Sequence, residues 1–106
     1  MKIPEKYICN GEKAIRIKTT YLKSIFGSKV SIEIVDSGFD YRNHPVETGQ
    51  LIIVSVGNGV LREGIIWKIL NVTFNKADND SINNYVIWIP ETKNFVIKSR
   101  YYIAAL

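Results

Sequence analysis

The strongest constraint on this chain is a succession of short apolar runs, rich in β-branched residues and separated by turn residues at close intervals. In the second half "QLIIVSV", "GIIWKILNVTF", "YVIWI" and "NFVIK" follow one another. β-Branched and aromatic side chains suit a pleated, partly buried surface, and such short runs read as strands. Between them "VGNG", "KADND" and "IPETKN" supply the Gly, Pro, Asn and Asp that turns require. "GNG" at 57–59 can take the positive φ of a tight hairpin. "NKADNDSINN", residues 75–84, reads as one long polar loop. Short strands with turns every ~8–12 residues predict a mainly β fold: a single small barrel or sandwich of five to seven mostly antiparallel strands.

The first 47 residues read as further strands with room for one short helix. In "KAIRIKT", Ala14, Arg16 and Lys18 alternate with Ile15 and Ile17, the pattern of a half-buried strand with a basic outer face. In "KVSIEIV", Val30, Ile32 and Ile34 are expected to point inward, with Ser31 and Glu33 outward. "SGFD" is expected to turn. "TTYLKSIFG" offers a Thr N-cap and a Gly27 stop, which predicts a short helix near 20–26, although the same residues would serve a strand.

With 106 residues and 46% apolar residues, the chain can fill one hydrophobic core as a single domain, 1–106. No segment reaches the ~18 unbroken apolar residues of a membrane span. The N-terminal "MKIPEKYICNGEK" lacks the apolar core of a signal peptide, so a cytoplasmic location and no membrane partner are the expectations. Cys9 is the only cysteine. It excludes an internal disulfide and reads as a buried or half-buried thiol. The abundance of Ile, Asn, Lys and Tyr, whose codons are AT-rich, points to a low-GC bacterial, phage or mobile-element gene.

The net charge of +4 is unevenly laid out. Residues 1–30 hold seven Lys or Arg against two Glu, residues 31–80 four against seven acids, and residues 81–106 three against one. If folding brings the two basic ends together, they form a positive face that attracts polyanions.

From Thr48 onward the order is strand, loop, "GIIWKIL" strand, polar loop, "NYVIWI" strand, tight turn, "NFVIK" strand, then "KSRYYIAAL". This order resembles the small Src-homology-three-like barrel shared by Tudor, KOW and related modules. The resemblance implies that "KSRYYIAAL" is a short 3-10 turn followed by a closing strand.

Catalysis needs a convergent set of titratable groups, and the set here is thin. His44, the only histidine, lies in "FDYRNHPVETG" among Asp36, Asp40, Arg42 and Glu47. One histidine with loosely spaced carboxylates matches no metal-site pattern, and the cluster reads as a surface loop. "GNGVLREG" lacks the ending of a phosphate-binding loop, and no nucleophile elbow occurs. Neither an enzyme, a metal nor a cofactor is expected.

The functional signal is basic residues interleaved with aromatics. Arg16, Lys18 and Lys23 flank Tyr21; Lys98 and Arg100 precede Tyr101 and Tyr102. Cations can pair with phosphates while tyrosine rings stack on bases, so a nucleic-acid-binding module is the first expectation. At least one of Tyr101 and Tyr102 is expected to be buried. A protein-binding inhibitor, immunity protein or adaptor is the alternative, with Trp88, Tyr41 and Arg42 as contact candidates if Trp88 lies on an exposed face. Self-association through an edge strand is the third reading, and the oligomeric state is left open.

Overall fold

The structure is a computed structural model that describes residues 2–75 and 80–106. Among the described residues it is mainly β, with one N-terminal helix, α1 (Ile8–Phe26), and eight strands: β1 (Ser31–Val35), β2 (Ser37–Phe39), β3 (Pro45–Glu47), β4 (Leu51–Gly57), β5 (Val60–Asn75), β6 (Asp80–Ile89), β7 (Asn94–Ser99) and β8 (Ile103–Ala105). All pairings are antiparallel. Six strands form one sheet in the order β7-β6-β5-β4-β8, with β1 also paired to β5; β2 and β3 form a separate hairpin.

The long strand β5 organises the sheet. Its first half pairs with β4 through Ile65, and its second half pairs with β1 from Ile69. Between them the register against β6 shifts around Trp67, a bulge that bends the strand and strengthens its twist. The β4–β5 connection is the two-residue turn Asn58-Gly59, with both residues at positive φ (52° and 74°), as a tight hairpin of this twist demands.

Bending gives the sheet two covered faces. On the inner face Ile52, Val54, Ile66, Ile69, Ile87, Ile89 and Ile103 pack with Tyr85 and with Val46 of the small hairpin. On the outer face Leu22 of α1 joins Val30, Leu70, Val72 and Val86. Covered on both sides, Tyr85–Ile89 is buried at every position.

The helix is longer than the sequence expectation, and "KAIRIKT" lies inside it rather than in a strand. The Ile15/Ile17 alternation competes with a helical spacing that runs through Ile8, Gly11, Ile15 and Leu22, and the helical spacing wins. Ile15 packs on the sheet while Ile17 faces outward. Gly11 lets the helix approach closely: a Cβ there would lie 2.5 Å from Trp67 Cζ3 and 3.0 Å from Phe95 Cζ. Gly27, at φ 79°, ends the helix as expected, with its N–H returned to the Lys23 carbonyl.

Further expectations are corrected. "SGF" is strand β2, and the chain turns after it, at 40–44. The polar stretch 75–84 is strand at Asn75 and from Asp80 onward; 76–79 lie outside the described residues. Val30 is buried, but Ile34 is exposed, because α1 packs over β6 and β7 and leaves the far end of β1 uncovered. Cys9 is exposed on the helix. No helix of the described residues is long and apolar enough to cross a membrane.

Candidate functional site

Two segments far apart in sequence meet at the β8 end of the sheet. β7 runs into a 3-10 turn, Arg100–Tyr102, and then into β8, which pairs with β4. The loop after β2 folds against this turn. Tyr41 N–H donates to the Ile103 carbonyl at 3.1 Å.

Asp40 fixes the junction. One carboxylate oxygen accepts the N–H groups of Arg42 (3.0 Å) and His44 (2.8 Å), and the other accepts Ala105 N–H at 2.8 Å. Its own carbonyl accepts Arg100 Nη1 at 3.1 Å. The residue is fully buried. Burial pushes its carboxyl up, but the N–H groups of Ala105, His44 and Arg42, with His44 alongside, pull harder and hold it below the usual carboxylate range. The sequence placed Asp40 in a surface loop. Asp36, Arg42, His44 and Glu47 are indeed exposed, but Asp40 is the buried peg of that loop.

Around this junction lies an open groove of about 260 Å³, lined by Tyr41, Tyr101 and Tyr102 over Ile53 and Leu61. The three rings are 52%, 68% and 52% exposed, so the expected burial of Tyr101 or Tyr102 is corrected. Each ring carries a cation on its face. The Arg42 guanidinium stands 5.3 Å from the Tyr41 centroid, Arg100 4.6 Å from Tyr101, and Lys98 Nζ 5.3 Å from Tyr102. Arg100 Nη2 also lies 3.3 Å from the Tyr101 hydroxyl. Held by both Asp40 and Tyr101, Arg100 positions the ring as well as contributing charge. Tyr41 and Arg42, expected as protein contacts, therefore share one surface with Lys98, Arg100, Tyr101 and Tyr102.

The helix cations are elsewhere. Arg16, Lys18 and Lys23 lie on α1, which covers the outer face, and Lys18 sits over Tyr21 at 5.7 Å. Lys98 is the cross-strand partner of Tyr85, whose ring belongs to the inner face. Paired residues share a face, so the sheet stands between Lys98 and the helix cations. Trp88 is 2% exposed, packed between Tyr7 and Phe95 at centroid distances of 5.0 and 5.1 Å. It is a core residue rather than a contact surface, because α1 and the segment before it cover the face on which strand alternation placed it. Sequence reading also missed Leu61 and Phe39, whose exposure depends on hairpin geometry and has no local signature.

Among the described residues no three His, Cys, Asp or Glu side chains gather as metal ligands would. No protein-family model, curated protein or solved structure matches the chain.

Proposed function

We propose that the chain is a non-catalytic binding module, built as a small Src-homology-three-like barrel, that holds single-stranded nucleic acid across the Tyr41–Tyr101–Tyr102 groove. The barrel reading is supported by the order of elements: a meander β4–β7, a 3-10 turn, and a last strand paired with the first of the meander. The binding reading rests on one observation, three accessible tyrosine rings on one groove, each with a cation against its face. Rings of this kind stack on bases of any sequence, and cations beside them meet the phosphates between bases.

Fluorescence anisotropy with labelled single-stranded and duplex oligonucleotides, over about 25–200 mM salt, tests it. The expected result is binding that prefers the single strand, weakens steeply with salt, and drops about tenfold or more for Tyr101→Ala or Tyr102→Ala. Absence of binding at the lowest salt would sink the reading.

A second reading, a protein-binding inhibitor, immunity protein or adaptor, is favoured by a different observation. Ile17, Tyr21 and Ile25, four residues apart on α1, are each more than half exposed and form an outward apolar stripe. A partner that co-purifies in high salt after nuclease treatment, is lost with Ile17→Asp and is retained with Tyr101→Ala would replace the first reading.

A further inference from the structure

Tyr101 borders a second cleft, of about 410 Å³, on the inner face beside the small hairpin. Its sides are apolar and accessible: Phe39 and Tyr101 line it, each about half exposed or more. Its floor is polar. Asn71 and Asn83 are cross-strand partners on β5 and β6, and Asn71 Nδ2 donates to Asn83 Oδ1 at 2.9 Å. Asn83 Nδ2 in turn lies 3.4 Å from the Tyr85 hydroxyl. That hydroxyl is itself fixed, accepting Phe39 N–H at 2.9 Å and donating to the Phe39 carbonyl at 2.8 Å. The amides are thus held in place by a chain of bonds anchored on the backbone beside the Phe39 ring. Each carboxamide carries two N–H donors and an oxygen with two lone pairs, so the bond between them leaves capacity for a ligand.

Across β5 the row continues. Glu33 of β1 is the partner of Asn71 on its other side, which places Glu33, Asn71 and Asn83 side by side on the same face. Arg100 also lines the cleft.

We infer that this cleft is a base-selecting subsite, in which the ring of one nucleobase lies between Phe39 and Tyr101, its hydrogen-bonding edge is held by the Asn71–Asn83 amides, and the Glu33 carboxylate beside them selects for an exocyclic amine. The inference rests on the nucleic-acid reading above and adds sequence preference to it. Stacking in the tyrosine groove tolerates any base, and a carboxamide, with a donor and an acceptor side by side, matches the edges of adenine, cytosine and thymine alike; the choice falls to the carboxylate, which accepts from an exocyclic amine. Adenine and cytosine present that amine. Thymine and uracil present two carbonyls about an N–H and give the Glu33 carboxylate no amine. Because Tyr101 lines both the groove and the cleft, a strand stacked in the first is positioned to place a neighbouring base in the second.

The test is affinity for homopolymeric single strands of deoxyadenosine, deoxycytidine and thymidine, in the full chain and in the Glu33→Ala, Asn71→Ala and Tyr101→Ala variants, with thermal melts to confirm folding. Asn71 makes no bond to the Tyr85 anchor, so its variant reads the amide apart from the hairpin. The expected result is that the wild type binds the adenine and cytosine strands about five- to a hundredfold tighter than the thymine strand. Glu33→Ala levels the three, whereas Asn71→Ala and Tyr101→Ala each weaken all. Equal affinity for the three strands in the wild type, or a preference that survives Glu33→Ala, overturns the subsite and leaves the groove standing. No binding to any strand overturns both.

Discussion

Asp40 joins stretches of chain 65 positions apart, and its chemistry sets how the site behaves with acid. A carboxylate that accepts three backbone N–H groups in a buried place is worth more than three ordinary hydrogen bonds, because its loss strands all three donors. Asp40→Asn keeps the shape but turns one amide N–H toward a donor it cannot satisfy. It is expected to cost about 2–4 kcal/mol in urea unfolding. The folded carboxyl is held low, so the unfolded chain binds more protons between the lowered value and the ordinary one near about 3.9. Stability from Asp40 is therefore complete above the ordinary value and fades as pH falls through the folded one. Unfolding curves in acid are expected to show that loss in the wild type and a flatter profile in Asp40→Asn. Tyr85→Phe removes the hydroxyl that holds both the N–H and the carbonyl of Phe39; it is expected to cost about 1–3 kcal/mol and to speed amide exchange at Phe39.

At the scale of elements the helix carries the instructive disagreement. Two isoleucines at positions 15 and 17 look like strand alternation when read alone. Over nineteen residues the spacing of Ile8, Gly11, Ile15 and Leu22 defines one face that can cover the outer side of β6 and β7. The sheet decides between the patterns, since only a helix brings Leu22 onto Val86 and leaves room at Gly11 for Trp67. Leu22→Ala is expected to cost about 2–4 kcal/mol by chemical denaturation, with Ile17→Ala within about 0.5 kcal/mol of wild type, because Ile17 faces water. A strand at 13–19 would instead have made Ile17 the costly position. The last strands show the opposite case. "GNG", "PETKN" and the apolar runs between them specify their own hairpins locally, and those elements stand where the patterns place them.

For the whole molecule the consequence is electrostatic. The basic ends of the chain do not merge: α1 carries its cations on one face of the sheet and Lys98 stands on the other, against Tyr102 at the rim of the tyrosine groove, whose floor is the face of β4 turned away from the inner core. Lys98→Ala is therefore expected to lower the salt slope of single-strand binding by about 0.7, the share of one phosphate contact, while Lys23→Ala leaves both slope and affinity within about twofold. A salt titration of the two variants checks this.

By itself the sequence determined that the chain would be mainly β, where its C-terminal hairpins turn, and that Lys98, Arg100 and the two tyrosines follow one another before the last strand. Those are consequences of local propensity and period, which act within a few residues. Only the tertiary structure decided that Asp40 is a buried peg, that Trp88 is sealed by Tyr7 and Phe95, and that Tyr41 joins Tyr101 and Tyr102 on one groove. Burial and proximity depend on which distant element covers which face, and no window of neighbouring residues contains that information.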